Sequence, residues 1–590
     1  MARTGLGLGR VMGMEAEYGL LAPAALTGAS VPLDPFELGA RLIHAHGRSV
    51  EARGEVWGVR WDYSGESPLR DARGFELDRS EADASMLTDG EGFAGSMGSS
   101  PGPRIAEGDA HIAQRQVKTS EVVRLTDLEK VWQRGNATAL VNGARFYLDH
   151  GHPEYATPEC VGAAQTVLYD RAGDEILVDA AKALGAELAD EHLEIREATP
   201  ALVFKNNTDN KGAAYGTHEN YLLSRHVDFD DVATALIPFL VTRPVLVGPG
   251  RVGLGVDSSQ TSATAGFQLS ARADFVQQLI GLETTMNRPV VNTRDEPHTD
   301  PERWRRLHVV ASDANIFDSS NWLKLAITDL VLGVLEARGL PEEWQSLQLT
   351  DAVADMRTVS RDLTLKAPLT LKDGRNLTAI EIQRVYCQTV TQVVREETGI
   401  EPLVLDPNQS PYSLLSALGN KPDARYETAL TLAVWADLLD RLGENPLNCT
   451  DVEWVAKLGL LEATRKRRGL AWDAALLQAI DLQWTNLGDS LGVRLSPPGS
   501  PGRVFPAEQV ARAREYPPAQ TRAYFRGRLI SDYPREVFSA GWHSMVVDMG
   551  EKHLRRIPLT DVQEWTEGLT GEILDEALGV RDVIEQVAKV

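Results

Sequence analysis

Cysteine is scarce in this chain, basic residues are outnumbered, and no long apolar run is present. Its 590 residues include three cysteines, Cys160, Cys387 and Cys449. They are neither clustered nor spaced as zinc ligands, which argues against a disulfide framework or a thiolate metal site. With 60 Lys and Arg against 84 Asp and Glu, the net charge of −24 leaves no basis for the broad basic surface that nucleic acid requires. No stretch approaches the roughly 20 apolar residues of a bilayer span, and the first residues lack a signal-type apolar core. These absences together predict a cytoplasmic protein that binds neither nucleic acid nor membrane.

Phosphate-binding loops are also missing. No G-x-x-x-x-G-K-[ST] occurs, and although Gly248, Gly250 and Gly253 spell G-x-G-x-x-G, the residues from Leu254 to Ser259 do not open a helix. A dinucleotide site needs that helix N-terminus. Any nucleotide must therefore be held by arginines and by carboxylate-bound magnesium.

What is present is an ordinary globular composition, 43% hydrophobic and 24% charged, long enough for a large core. Helical spacing is predicted near Pro35 to Ala45, over Tyr169 to Leu193, Asp231 to Val241, Phe275 to Leu282 and Ser319 to Arg338, and over Ala379 to Thr398, Ala424 to Arg441 and Asp451 to Arg468. Short strands are predicted at Ala201 to Lys205, Pro289 to Asn292 and Leu307 to Ala311. From Gly58 to about Gly135 regular periodicity is lost, and a long inserted loop is expected there, mobile over Ala82 to about Ile112.

Two passages carry the chemistry. In a strand, alternate side chains share a face, so Arg145, Tyr147 and Asp149 project together while Phe146 and Leu148 can face a core. Near the start, Glu15 and Glu17 share one face, and Met14, Ala16 and Tyr18 the other. Glu15, Glu17 and Glu154 are oxygen ligands of the kind magnesium takes together with substrate phosphates. Other polar groups have blander readings. His150 and His152 are an isolated alternating pair, Lys205 to Asn210 reads as a turn network, and Arg294 to Glu296 and Arg303 to Arg306 read as exposed ion pairs. Arg465 to Arg468 suit a helix C-terminus.

Gly13-Met14-Glu15-Ala16-Glu17-Tyr18-Gly19, Asn142-Gly143-Ala144-Arg145, Asp149, His152-Pro153-Glu154-Tyr155, Lys205-Asn206-Asn207, His218-Glu219-Asn220-Tyr221, Asn292 to His298, Arg305 to His308 and Thr521 to Gly527 follow one another in an order that resembles the family handling Pup, the small protein tag of bacterial proteasome systems. That family has a ligase branch and a deamidase/depupylase branch. Arg60 to Tyr63 with Glu66 to Phe75, and the spacing of Asp149 to Pro153, resemble the cleaving branch, although the chain is longer than expected between Arg79 and Gly135. The alternatives are a ligase that consumes ATP, and a non-catalytic Pup-binding regulator.

The resemblance implies an α+β, glutamine synthetase-like fold, a large curved antiparallel sheet backed by helices. It implies a catalytic domain over residues 1–517, with the insert at about 58–135, and a small C-terminal domain over 518–590. It further implies ATP and Mg2+ as cofactors, and Pup and pupylated proteins as partners, with a functional link to the proteasome. Glu15, Tyr147, Glu154 and, less centrally, Glu17 would ligate the metal. Arg145, Thr157 and Trp542 would contact ATP, and Asp149 would be the catalytic carboxylate.

Overall fold

The computed structural model describes residues 6–22, 34–82, 136–191, 199–209, 212–255, 266–284 and 287–588. Most of the expected insert, residues 83–135, lies outside them. Ten strands form the ordered path of one large sheet: β1 (Val11–Glu17), β2 (Gly58–Trp61), β3 (Ala137–Leu140), β4 (Arg145–Asp149), β5 (His152–Ala156), β6 (Thr217–Ser224), β7 (Trp304–Val309), β8 (Val537–Ala540), β9 (Ser544–Val547) and β10 (Arg555–Pro558). Their order is β7-β6-β1-β5-β4-β3-β2-β8-β9-β10, and the short Cys160–Val161 strand also pairs with β1. Every contact along this path is antiparallel except β2 with β8, which is parallel. The start of the expected loop is thus a strand, because Gly58–Trp61 finds partners on both sides.

Helices cover one face of the sheet. They include α1 (Pro35–Ala52), α2 (Ala163–Glu191), α3 (Phe229–Thr242), α4 (Asp318–Arg338), α5 (Ala379–Thr398), α6 (Ala424–Glu444) and α7 (Glu453–Arg468). Local chemistry sets several ends. Asp34 caps α1 by accepting from the Phe36 and Glu37 backbone N–H groups, Thr378 and Glu381 form a capping box on α5, and Gly399 ends α5 in the left-handed conformation. The basic run Arg465 to Arg468 occupies the last turn of α7, where the helix dipole favours it.

The predicted helix over Phe275 to Leu282 is instead largely strand, Val276–Gly281, paired in parallel with Arg288–Asn292. Its short apolar run fits either periodicity, and a neighbouring strand decides the outcome.

Met12, Met14, Tyr221, Leu223, Leu307 and Val309 point from the sheet into a core shared with Val167 of α2 and Trp322 and Leu325 of α4. A second cluster packs Ala16, Phe146 and Tyr155 against Leu42, Ile43, Ile176 and Leu177. The segment after residue 517 adds the last three strands and helix α8 (Ala523–Asp532), whose Phe525 and Leu529 pack with Trp61, Tyr147 and Ala156. Among the described residues, no helix is long and apolar enough to cross a membrane.

Candidate active site

Sheet register determines which polar side chains meet. On β1 and β5, Glu15 opposes Ala156 and Glu17 opposes Glu154. On β4 and β5, Arg145 opposes Ala156, Tyr147 opposes Glu154 and Asp149 opposes His152. On the other side of β1, Glu15 opposes His218, and β7 sets Arg306 against Leu222 and His308 against Asn220. Directly opposed residues project to the same face, so Arg145, Tyr147, Asp149, Glu154, Glu15, Glu17, His218, Arg306 and His308 share the face away from the α2 and α4 core.

Two groups of ligand atoms form there. Oxygens of Glu17, Asp149 and Glu154 lie within 4.8 Å of one another, as do atoms of Glu15, His218 and His308. Burial, reinforced by Asp149, Glu17 and Glu15, pushes the Glu154 carboxyl well above the usual range. Burial and the neighbouring Glu17 also raise Asp149, against the opposing pull of His150 and Arg145. Glu15 goes the other way. Burial raises it, but the hydrogen bond with His218 and the charges of His308 and Arg306 outweigh that and hold it low. His218 Nδ1 lies 3.3 Å from Glu15, Asn220 Nδ2 donates to Glu15 at 3.1 Å, and Arg306 Nη1 is 3.4 Å away.

This donor set fits a divalent cation. Carboxylates crowded in a buried site repel one another, and a hard cation with oxygen ligands relieves that repulsion. His218 Nε2, buried and without a hydrogen bond among the described residues, is a further donor facing the same basin.

Arg145 is boxed by aromatic rings. Its guanidinium carbon lies 3.9 Å from the Tyr147 ring centre, 4.6 Å from Trp61 and 5.1 Å from Tyr63, with Glu66 at 3.7 Å. The acidic basin also holds Arg294, Glu296 and His298, and it adjoins a more apolar slot lined by Met12, Gly13, Thr157, Pro158 and Glu159. Glu15, Ala156, His298, Arg306 and Trp542 line both. The Thr157 hydroxyl accepts from the Met14 backbone N–H at 3.0 Å. Burial raises the Glu159 carboxyl, but Arg526 and Arg522 outweigh it and hold the group at about 2.

The structure thus brings Glu15, Glu17, Tyr147, Asp149 and Glu154 together beside Arg145, with Thr157 and Trp542 on the adjoining slot. Several sequence readings change. Arg294, Asp295 and Glu296 are buried rather than exposed, because residues 66–72 dock on them: Ala72 N–H donates to Thr293 and Asp295 N–H to Arg70. Arg306 enters the basin and Arg305 is buried, while Arg303 alone of that run is exposed. Lys205 is a buried ion partner of Asp170 at 2.6 Å, more than a turn residue. His150 Nε2 sits 3.4 Å from Asp149 while His152 stacks on Tyr215, so the two histidines, read as an isolated pair, turn to different partners. His218, His308, Arg306, Glu66 and Glu296 line the site, although the sequence reading quotes them only within motifs and gives them no role there. Strand alternation in His218-x-Asn220 and Arg306-x-His308 is the signal that marks the first three.

An acidic basin whose donors suit a divalent cation, beside a more apolar slot on an open sheet face, is an arrangement able to stabilise the charge that develops in acyl transfer. Residues 10–546 match the model of the family described as Pup-ligase protein. The chain is 36% identical to the "Depupylase" of Acidothermus cellulolyticus over 98% of both proteins, and 35% identical to the "Pup deamidase/depupylase" of Mycolicibacterium smegmatis over 98% of this chain and 99% of that one. A "Pup--protein ligase" of Pseudarthrobacter chlorophenolicus, 35% identical, aligns over 70% of this chain and 85% of its own. Among solved structures, the Pup ligase PafA in complex with Pup matches with a TM-score of 0.68 at 26% identity, over 99% of this chain and 95% of that one. PafA in complex with ADP matches with a TM-score of 0.62 at 29% identity, over 80% and 96%. The chain belongs to the Pup-ligase protein family.

Proposed function

We propose that this chain is a Pup deamidase/depupylase, a hydrolase that converts the C-terminal glutamine of Pup to glutamate and cleaves the isopeptide bond between that residue and a target lysine. The observation that carries this reading is the convergence of Glu15, Glu17, Asp149 and Glu154 beside Arg145 on one sheet face, in a chain that matches depupylases along nearly its whole length. In sequence the ligase relative aligns over a smaller share, 70% of this chain, while the structural match to the ligase PafA reflects the fold that both branches share.

In this reading Glu15, Glu154, Tyr147 and Glu17 hold magnesium, and Arg145, Thr157 and Trp542 hold ATP, for which the ADP complex of the related ligase is the precedent. When bound, the metal and nucleotide supply positive charge and phosphate next to the reacting carbonyl. Asp149 acts at that carbonyl, either attacking it or directing water. Arg145, fixed by its aromatic box, stabilises negative charge growing on oxygen, the contribution that often dominates acyl transfer. Trp542 and His298 close the slot side and limit entry of water. Residues 1–517 supply most of the basin, and 518–590 supply its outer wall. The partners are Pup and pupylated proteins of a proteasome system, in the cytoplasm.

The test incubates the purified chain with a pupylated protein, magnesium and ATP, and separately with Pup ending in glutamine. Free target protein and deamidated Pup are expected. New conjugates with stoichiometric ADP release would instead identify a ligase, and binding without turnover a non-catalytic regulator.

A further inference from the structure

Of the charge clusters that the mechanism leaves unused, one stands at the slot. Glu159 lines the slot three residues beyond β5, and it grips two arginines from the far end of the chain. Arg522 Nε donates to Glu159 at 2.8 Å, and Arg526 donates to both carboxylate oxygens. Arg522 and Arg526 are 1% and 0% exposed and the Glu159 side chain 13%, so this triad is largely desolvated.

The remaining donors of these arginines reach the slot's outer wall. Arg522 Nη1 donates to the carbonyls of His298 and Leu559, each at 2.8 Å. Arg526 donates to the Trp542 carbonyl at 3.1 Å and to the Gly143 carbonyl at 2.8 Å, and its guanidinium lies 5.2 Å from the Trp542 ring centre. His298 holds a positive φ of 52°, an uncommon conformation for a residue with a side chain, and its ring is 6.3 Å from that of Trp542. One carboxylate therefore organises two planar forks, each with a fixed donor geometry, and each fork fixes one wall residue.

We propose that Glu159 is a positioning residue for nucleotide. Acting through Arg522 and Arg526, it sets His298 and Trp542, the two side chains from outside the sheet that wall both the slot and the basin. The inference rests on the ATP reading above and adds a dependence which that reading does not contain. A purely structural triad would alter stability alone. A positioning triad alters how the slot receives the nucleoside part of ATP while leaving phosphate binding in the basin intact.

Calorimetric titration of the full chain with Mg-ATP and with Mg-tripolyphosphate separates the two, because tripolyphosphate has no nucleoside to fill the slot. Glu159→Gln and Arg526→Lys are expected to weaken ATP by about tenfold or more, the scale of a lost charge-assisted hydrogen bond, while tripolyphosphate changes by less than about twofold. In a Trp542→Ala background, the effect of Glu159→Gln on ATP should shrink to within about threefold, as expected for residues acting as one unit. Should Glu159→Gln not fold, Arg526→Lys, which keeps the charge and loses the fork, decides the matter alone. Folded variants that bind ATP like the unmodified chain, or that lose ATP and tripolyphosphate equally, overturn the inference and leave the ATP reading standing. An unmodified chain that binds no ATP overturns both.

Discussion

Glu17 and Glu154 are cross-strand partners on β1 and β5, two carboxylates opposed on one face of the sheet with Asp149 beside them. Like charges opposed in this way destabilise a sheet, and burial removes the water that would screen them. The arrangement persists at a cost to the metal-free fold. Glu154→Gln is therefore expected to raise the thermal midpoint in EDTA, by about 1 kcal/mol of stability, while abolishing the stabilisation that magnesium gives the unmodified chain. Melting curves with and without magnesium read both effects. A lower midpoint for Glu154→Gln in EDTA would contradict the charge-crowding account.

Asp149 belongs to the same group, yet it stands at the end of β4, next to His150 in the left-handed conformation. In its proposed role as the catalytic carboxylate it should tolerate loss of charge with little change in binding. Asp149→Asn is expected to cost several orders of magnitude in depupylation rate with magnesium and ATP affinity within about threefold. Single-turnover assays paired with calorimetry check this. A collapse of metal affinity with a matching loss of rate would make Asp149 a ligand instead.

Much of this face is legible in the amino-acid sequence, for a simple reason. Glu15 and Glu17 on β1, and Arg145, Tyr147 and Asp149 on β4, alternate with Met14, Ala16, Phe146 and Leu148, and a two-sided sheet imposes that period. Register over distance is not legible there. His218, Arg306 and His308 join Glu15 only because β6 and β7 stack beside β1. Glu159 and Arg522 are 363 residues apart in the chain, so no local pattern links them. The Arg294 to Glu296 run reads as surface because its cover, residues 66–72, comes from elsewhere in the sequence. Val276 to Gly281 reads as helical because its pairing partner, and not its own composition, makes it a strand.

Arg145 offers a prediction about residue type. Its planar guanidinium lies near Trp61, Tyr63 and Tyr147, contacts that a lysine ammonium cannot reproduce in number or geometry. Arg145→Lys keeps the charge but forfeits about 1–2 kcal/mol of cation–π and positioning energy, so KM for ATP should rise roughly tenfold. Steady-state kinetics with varied ATP measure it. An unchanged KM would remove Arg145 from the nucleotide site.

Glu159 makes acid sensitivity specific. Its folded-state pKa is lowered from 4.5 to about 2, the upward push of burial being outweighed by Arg526 and Arg522. A lowered carboxyl contributes stability above its unfolded pKa and loses it as pH falls through the folded one, here between roughly pH 4.5 and 2. The contribution at neutral pH is on the order of 3 kcal/mol. Urea unfolding at pH 6 and pH 3 should show the gap between the unmodified chain and Glu159→Gln narrowing at the lower pH. A gap independent of pH would show that the ion triad is not its source.

The face that carries these carboxylates is also held from behind, by a contact that involves no charge. Gly173 of α2 lies against Tyr155, such that an added Cβ would meet Tyr155 Cδ1 at 2.3 Å. Tyr155 is fully buried, its hydroxyl accepts from Asn142 Nδ2 at 3.0 Å, and on β5 it sits between Glu154 and Ala156, which point to the opposite face. Alanine would gain about 1 kcal/mol in helix propensity over glycine. Overpacking against a ring that cannot turn away costs about 1–3 kcal/mol, so the steric effect wins. Gly173→Ala should lower the thermal midpoint and, by pushing β5 outward, weaken magnesium binding, although residue 173 touches neither basin nor slot. A variant that melts and binds magnesium as the unmodified chain does would mean that β5 has room to shift without disturbing Glu154.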